Sequence, residues 1–196
     1  MFEAVVLGVS AGGMHALKTI VQALPAAFSL PIAIVQHLGP QSEAYLAEHL
    51  NRFSAIEVKE AEDKETLRPG TAYLAPAGYH LLIEPDRSFS LSVDDKVNYS
   101  RPSIDLLFES AADAFGDALI GVVLTGANSD GAHGLRAIKQ RGGLAVVQNP
   151  DTAEASRMPR AALAATAVDH IVDLERIAML LRNLSRGVPC GTRTER

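Results

Sequence analysis

The sequence of 196 residues contains one cysteine, Cys190, and no tryptophan. A single cysteine excludes an internal disulfide. No apolar run is long enough to span a bilayer, and the amino terminus has no basic segment followed by a hydrophobic stretch. We therefore expect a cytoplasmic protein that has no secretory signal and does not insert into a membrane.

Positive charge is also scarce, because 18 lysine and arginine residues face 23 aspartate and glutamate residues and the net charge is −5. Since no basic run lies outside the last few residues, the chain lacks the footprint of a nucleic-acid-binding protein. Motifs such as His-x-His or His-Glu-x-x-His are absent too, and we expect neither a metal nor a cofactor. The 47% of hydrophobic residues suffice for a sizeable core, and the length favours one compact domain.

The chain does contain a regular alternation of strand-like and helix-like patterns. Strands are predicted at residues 5–9, 31–37, 118–124, 144–148 and 170–172, and helices at residues 14–24, 42–53, 102–115, 132–141, 158–165 and 175–184. This alternation indicates an α/β fold with a mostly parallel, doubly wound sheet and helices on both faces. We expect residues 1–184 to form a single domain and residues 185–196 to form a disordered C-terminal tail.

The middle of the chain, residues 56–97, has a different pattern. Its short alternating runs are separated by proline and glycine, which is typical of β-hairpins. We expect residues 71–93 to form an antiparallel addition at one edge of the sheet, and the acidic run 57–65 to be a solvated connection. Pro102 is expected at the first position of the next helix, where its missing N–H costs nothing.

The most informative stretch is Gly8-Val9-Ser10-Ala11-Gly12, where a predicted strand ends at a serine flanked by small residues. Its spacing matches the Gly-x-Ser-x-Gly nucleophile elbow, in which a tight turn exposes the serine hydroxyl just before a helix. The N–H groups at the start of that helix would face an oxyanion formed at the serine. The same glycines also fit a phosphate-binding turn or an ordinary strand-to-helix corner, and the motif alone does not decide among these.

Two further polar residues follow predicted strands. His37 closes the second strand, and Asp130 lies in the loop after the third. Because the carboxyl ends of parallel strands share one edge of a sheet, Ser10, His37 and Asp130 are predicted to meet there. A serine nucleophile needs a base, and the base needs an acid that holds its tautomer, so these residues would form a catalytic triad.

Other residues compete for the roles of base and acid. His80, at the start of a predicted hairpin strand, is the strongest rival base. The remaining rivals are His15, His133 and His170 for the base, and Asp151 and Asp169 for the acid. The order Ser, His, Asp along the chain differs from the Ser, acid, His order of α/β-hydrolases, so that fold is not assumed.

Several separate stretches resemble the catalytic domain of the CheB-type protein-glutamate methylesterases of bacterial chemotaxis. The resemblance covers about 5–184 and rests on Gly8-Val9-Ser10-Ala11-Gly12-Gly13, Gln36-His37, Glu60-Ala61-Glu62-Asp63, Pro69-Gly70, Tyr73-Leu74-Ala75-Pro76, Arg101-Pro102-Ser103, Leu124-Thr125-Gly126, Asp130-Gly131 and Met158-Pro159-Arg160. The family's catalytic serine, histidine and aspartate correspond to Ser10, His37 and Asp130. The resemblance implies that residues 1–184 hydrolyse glutamate methyl esters on cytoplasmic helices of methyl-accepting chemoreceptors, releasing methanol. It also implies deamidation of selected glutamines.

Some features depart from the family pattern. Ala11 stands where the family often has threonine, and Ala127, Asn128 and Ser129 stand where it often has methionine, glycine and asparagine. The family's receiver domain has no counterpart in the printed sequence, so we do not expect phosphorylation within this chain to regulate it. Because the changed residues adjoin the predicted site, two other functions stay open: a receptor- or protein-binding module with weak catalysis, and an esterase of small esters.

The predicted mechanism also needs backbone groups that stabilise an oxyanion. The N–H of Ala11 directly follows the nucleophile and is the expected first donor. The other candidates for oxyanion or substrate contacts are Gly12, Thr125, Gly126 and Ala127.

Overall fold

The computed structural model describes residues 1–37 and 45–187. The strands are β1 (Ala4–Val9), β2 (Ile32–Gln36), β3 (Glu57–Glu60), β4 (Thr71–Leu74), β5 (His80–Ile83), β6 (Phe89–Ser92), β7 (Leu119–Val123), β8 (Leu144–Gln148) and β9 (His170–Val172). The helices are α1 (Gly13–Ala23), α2 (Leu46–Asn51), α3 (Ile104–Phe115), α4 (Ala132–Gln140), α5 (Arg157–Ala165) and α6 (Leu174–Ser185).

Seven of the described strands form one parallel sheet in the order β3-β4-β2-β1-β7-β8-β9. The central strand β1 pairs with β2 on one side and with β7 on the other. Every residue of β1 is buried, as expected for a strand covered by helices on both faces. The prediction of a mostly parallel α/β sheet with an antiparallel hairpin addition is confirmed.

Two apolar clusters cover the two faces of this sheet. Helices α1, α2 and α6 contribute to one cluster, and α3, α4, α5 and the β5–β6 hairpin contribute to the other. The chain therefore leaves β1 toward one face, through α1, and leaves β7 toward the other, through α4. Neighbouring strands whose connections diverge in this way open a crevice beyond their carboxyl ends, where α/β proteins place their sites.

The prediction for residues 71–93 is wrong at its beginning. Residues 71–74 are strand β4, which pairs in parallel with both β2 and β3. Ala72 and Leu74 pack into one apolar cluster and Tyr73 into the other, so both faces of this strand are buried. The alternation of residue types suggested a hairpin, but these residues form an inner strand of the main sheet. Among the strands of the described residues, β5 and β6 alone pair in antiparallel fashion, and they form a separate sheet against the α3 side rather than an edge addition.

The acidic run 57–65 is also more than a solvated connection, because its first residues form the edge strand β3. Val58 is buried in the core, whereas Glu57 and Glu60 are exposed. Charged side chains on an edge strand disfavour pairing with another chain.

Helix α3 begins at Ile104 and not, as predicted, at Pro102. Ser103 is the N-cap, and its hydroxyl accepts the N–H of Leu106. Since a serine hydroxyl satisfies an N–H group at a helix start, the cap sets the boundary one residue after the proline. The peptide between Arg101 and Pro102 is cis.

Two predictions fall partly outside the described residues. The helix predicted at 42–53 is described from residue 45 onward, and there α2 runs from Leu46 to Asn51. Most of the predicted tail, residues 188–196, also lies outside, whereas α6 continues to Ser185. Among the described helices, none combines the length and hydrophobicity needed to span a bilayer.

Candidate active site

Ser10 lies between the end of β1 and the start of α1, at the turn predicted as a nucleophile elbow. Both glycines of the motif are needed there. A Cβ on Gly8 would lie 2.3 Å from Cγ2 of Ile104, and Gly12 has a φ of 77°, which favours glycine. The strand-turn-helix context that the elbow requires is therefore present.

The backbone of Ser10 is held from two neighbouring strands. Its N–H donates to the Thr125 carbonyl at 2.9 Å, just beyond β7. Its carbonyl accepts the Nε2 group of Gln36 at 2.9 Å, at the end of β2. The same Nε2 donates to the His37 carbonyl at 2.8 Å, so one amide bridges the backbones of the predicted nucleophile and base.

This bridge fixes the orientation of the buried Gln36 amide. Because two carbonyls accept hydrogen bonds from Nε2, Oε1 must point the other way. Oε1 lies against Gly13, where a Cβ would be only 1.7 Å from it. The close approach of β2 to the elbow thus depends on glycine at this position too.

We expect Gln36→Glu to lower both turnover and stability. A carboxylate oxygen would face the carbonyls of Ser10 and His37, and losing buried hydrogen bonds costs about 1–3 kcal/mol of unfolding free energy. Turnover should fall because the backbones of the predicted nucleophile and base lose their common anchor. Urea unfolding and ester hydrolysis would measure the two effects.

Gln148→Glu is the matched control. Gln148 accepts the Thr125 N–H with Oε1 and donates to the Thr152 carbonyl with Nε2. A glutamate would keep the contact with Thr125, which lies nearer the site, and lose the contact with Thr152. A smaller loss of turnover is expected than for Gln36→Glu. Equal losses of turnover in the two variants would argue against a special role for the Gln36 bridge.

His37 and Asp130 lie together at the same edge of the sheet. His37 Nε2 is 2.9 Å from Asp130 Oδ2, and the Asp130 side chain is 0% exposed against 12% for His37. The ring N–H is not well aligned with the carboxylate oxygen. Such alignment commonly improves only when substrate binds.

The Asp130 carboxylate is held at the start of α3. It accepts the N–H groups of Ile104 at 2.8 Å, Asp105 at 3.0 Å and Gly131 at 3.1 Å, and the hydroxyl of Ser103 at 3.2 Å. Burial raises the pKa of Asp130, but the contact with His37 and the N–H groups of α3 outweigh it and bring the pKa below its usual value. The carboxylate is therefore ionised at neutral pH and can stabilise a positive charge on His37.

A second buried carboxylate, Asp105, lies beside Asp130. The Asn98 amide donates to Asp105 at 3.0 Å and to Asp130 at 3.3 Å, and the Gly134 N–H donates to Asp105 at 2.7 Å. Burial, together with the charge of Asp130, raises the pKa of Asp105 despite the Gly134 contact. The pKa values of these two neighbouring carboxyl groups are thus shifted in opposite directions, which is typical of functional sites.

The raised pKa of Asp105 predicts a pH-dependent contribution to stability. A carboxyl group with a higher pKa in the folded state stabilises the fold below its unfolded-state pKa, and this contribution is lost as the pH rises through the folded-state pKa. Relative to Asp105→Asn, the wild type should therefore lose unfolding free energy as the pH rises above about 4, the ordinary pKa of an aspartate. Urea unfolding of both proteins across this range checks the sign, and a difference that stays constant with pH would contradict it.

The candidate oxyanion donors separate into two groups. Thr125 N–H donates to Gln148 Oε1 at 2.9 Å, and Gly126 N–H donates to the Ala155 carbonyl at 2.9 Å, so neither N–H is available to an oxyanion. The N–H groups of Ala11, Gly12 and Ala127 donate to no acceptor within residues 1–37 and 45–187. These three therefore remain as donors.

The strongest rival base, His80, occupies a structural position. It is fully buried, its Nδ1 accepts the Ser103 N–H at 3.2 Å, and its Nε2 lies 3.1 Å from the Asp95 carbonyl. Both ring nitrogens are used by backbone groups. His80 thus supports Ser103, which in turn donates to Asp130.

The other rivals lie in ordinary structural or surface positions. Asp169 pairs with Lys139 and accepts the Ala145 N–H, just before β9, at the opposite edge of the sheet. Asp151 is highly exposed. The rival histidines are exposed or half-buried: His15, His133 and His170.

Several residues that hold the site together could not be identified from the sequence. Gln36 and Ser103 belong to stretches that carried the family resemblance, and that was the only signal for them. Asn98 gave no signal, and it reaches the two carboxylates from a turn in which its φ is 51°. Asn128 was noted only as a departure from the family pattern.

The chain is similar in sequence to the proteins of one family. Residues 5–181 match the family model described as CheB methylesterase. A putative protein-glutamate methylesterase/protein-glutamine glutaminase of Leptospira interrogans is 55% identical over 185 residues, which cover 94% of this chain and 96% of that protein. The FrzG protein-glutamate methylesterase of Myxococcus xanthus is 37% identical over 180 residues, covering 92% of this chain and 54% of that protein.

A solved structure shows the same fold. The crystal structure of the Thermotoga maritima CheB methylesterase catalytic domain matches with a TM-score of 0.90 and 34% identity, covering 94% of this chain and 99% of that one. This chain spans nearly all of the Leptospira protein but only about half of the Myxococcus protein. The chain belongs to the CheB methylesterase family, whose members are carboxylic ester hydrolases.

Proposed function

We propose that this chain is a serine hydrolase of glutamate methyl esters in proteins, with Ser10 as nucleophile, His37 as base and Asp130 as the acid that orients it. One observation carries the proposal: His37 follows the strand next to the Ser10 elbow by one residue, and its Nε2 lies 2.9 Å from the buried carboxylate of Asp130. A buried carboxylate against a histidine, beside a serine at a tight strand-to-helix turn, is the arrangement that activates a serine hydroxyl.

The first half of the reaction transfers the acyl group to the enzyme. Ser10 Oγ attacks the ester carbonyl while His37 takes the hydroxyl proton. Because Nε2 faces Asp130, Nδ1 is the nitrogen that receives it. Asp130 stabilises the resulting imidazolium, and the tetrahedral intermediate collapses as the proton passes from His37 to the departing methoxy oxygen, releasing methanol.

The second half regenerates the enzyme. Water attacks the acyl-enzyme as His37 takes one of its protons, and that proton then returns to Ser10. The glutamate side chain leaves as a carboxylic acid, which ionises in solution. Deamidation of a glutamine follows the same steps with ammonia as the leaving group. Neither reaction requires a metal or a cofactor.

The oxyanion formed in each half would be stabilised at the start of α1. The Ala11 N–H directly follows the nucleophile, and the helix adds a partial positive charge there. Ala127 N–H, on the exposed loop after β7, is the second candidate donor.

The proposed substrate is a methylated chemoreceptor helix or a similarly methylated protein. Support comes from the names of the relatives, which are protein-glutamate methylesterases and protein-glutamine glutaminases. If the substrate is of this kind, the protein acts in the cytoplasm, where the methylated helices of the receptor lie.

The proposal is tested by incubating the chain with receptor helices whose glutamates carry isotope-labelled methyl esters. Release of labelled methanol, absent with Ser10→Ala, is the expected result. Binding without methanol release would favour a binding module with weak catalysis. Hydrolysis restricted to a chromogenic small ester would favour an esterase of small esters.

A further inference from the structure

The side chain of Asn128 lies between the base and the loop that carries the acid. Its Oδ1 accepts the N–H of Asp130 at 3.1 Å, and its Nδ2 lies 3.2 Å from His37 Nδ1. Asn128 is half-buried, between the exposed residues Ala127 and Ser129. The two ring nitrogens of His37 are therefore in contact with different residues, Nε2 with Asp130 and Nδ1 with Asn128.

These contacts determine which atoms are donors. The Asp130 N–H needs an oxygen, so Oδ1 of Asn128 must point toward it and Nδ2 must point toward His37. Since Nδ2 can only donate, Nδ1 must carry a lone pair. The proton of the neutral ring is then on Nε2, where it faces the Asp130 carboxylate.

In this arrangement the Asn128 amide is hydrogen-bonded to His37 Nδ1, the atom that must accept the Ser10 proton. Nδ1 of a neutral imidazole has one lone pair, and the Asn128 amide donates to it. The Ser10 hydroxyl makes no hydrogen bond to the residues that the structure describes. In the proposed mechanism Ser10 gives its proton to Nδ1, so its hydroxyl needs the lone pair that the Asn128 amide holds.

We propose that Asn128 is a positioning residue that latches the base: it holds His37 in the Nε2–H tautomer and must release Nδ1 before Ser10 can be deprotonated. The latch rests on the proposed serine hydrolase function. Once His37 accepts the proton, Nδ1–H would face the amide hydrogens of Asn128, and two donors cannot share a hydrogen bond. The Asn128 amide therefore turns away during each catalytic cycle.

Two substitutions of Asn128 distinguish its contact with His37 from its contact with the Asp130 N–H, which supports the loop. Asn128→Ser and Asn128→Asp both keep an oxygen that can accept the Asp130 N–H. The serine hydroxyl is too short to reach His37 and leaves Nδ1 free. The aspartate places an acceptor against Nδ1, which favours a proton there and the wrong tautomer for catalysis. A role limited to the loop predicts that both variants behave alike, whereas the latch predicts opposite effects.

The rate at which a fluorophosphonate probe modifies Ser10 measures the competence of nucleophile and base without a receptor. We expect Asn128→Ser to accelerate this reaction about twofold to tenfold, the equivalent of one neutral hydrogen bond. Asn128→Asp should slow it at least about tenfold, because Nδ1 no longer accepts a proton. Ser129→Ala, an exposed change on the same loop, should leave the rate unchanged.

Nitrogen NMR of the free protein gives a second measurement, and its result would not change if Asn128 only supported the loop. The wild type should show the Nε2–H tautomer and a coupling across the hydrogen bond from Asn128 Nδ2 to His37 Nδ1, and Asn128→Ser should keep the tautomer and lose the coupling. An Nδ1–H tautomer in the wild type, or a rate in folded Asn128→Ser at or below the wild-type rate, would overturn the latch.

Failure of the proposed function gives a different result. Labelled Ser10 with the predicted variant order, but no methanol from receptor helices, would remove the receptor substrate and keep the latch. No labelling of Ser10 in any variant would overturn both.

Discussion

Ser10→Ala is expected to abolish ester hydrolysis while leaving the fold intact. The change removes Oγ, the proposed nucleophile, and in a serine protease with the same division of roles such a loss is about a million-fold in kcat. His37→Ala should cause a loss of similar size, since nucleophile and base act as a unit. Methanol release from one methyl-ester substrate, followed over hours to detect residual activity, measures both.

The stability of Ser10→Ala should differ from the wild type by less than about 0.5 kcal/mol. Ser10 is half-buried, and its recorded hydrogen bonds involve backbone atoms that alanine retains. Ser129→Ala and His15→Ala, both at exposed positions, are the matched controls and should retain wild-type activity. Wild-type turnover by Ser10→Ala would rule out serine catalysis in this chain.

Asp130→Asn is expected to lower kcat by about ten-thousandfold, as a change of the orienting acid to its amide does in a serine protease. Two effects act together here. An amide group facing His37 Nε2 would favour the wrong tautomer, and it would lack the negative charge that stabilises the imidazolium. The wild-type carboxylate is ionised because the contact with His37 and the N–H groups of α3 lower its pKa.

Asp130→Asn should also destabilise the protein, unlike Ser10→Ala. The carboxylate accepts hydrogen bonds on both oxygens from the start of α3, and an amide can accept on only one. Leaving one of these buried N–H groups unpaired costs about 1–3 kcal/mol. Urea unfolding gives this value, and the kinetic loss is read under conditions where the variant is folded.

The neighbouring Asp105→Asn is the control for Asp130→Asn. Asp105 is equally a buried carboxylate at the start of α3, but it contacts Gly134 and Asn98 rather than His37. We expect a much smaller loss of kcat for this variant. Losses of equal size in the two variants would show that the helix start, and not the contact with His37, is what the reaction needs.

Much of the architecture could be predicted because parallel strands that are buried on both faces have long apolar runs. Strands β1, β2, β7 and β8 were recognised in this way, and so was the edge at which Ser10, His37 and Asp130 lie. The short strand β4 was not recognised, since four residues with alternating types fit an exposed hairpin equally well. Its assignment depends on what packs against both faces, which is tertiary information.

The candidate site shows the same division. Residue type and position after a strand pointed to Ser10, His37 and Asp130 as candidates. The support of Asp130 by the start of α3 could not be foreseen, because Asn98, Ser103 and Asp105 are distant in sequence and meet it only in the folded chain. Thr125 and Gly126 were reasonable oxyanion candidates from their loop, but their N–H groups are bound to partners that follow β7 by more than 20 residues.

The most direct test of the account is to locate the residue that a fluorophosphonate probe modifies. We predict one adduct per chain, on the peptide that contains Ser10, with loss of ester hydrolysis in proportion to the labelled fraction and no adduct in His37→Ala. An adduct on another residue, or full hydrolysis by a chain labelled at Ser10, would contradict the assignment of Ser10 as the nucleophile.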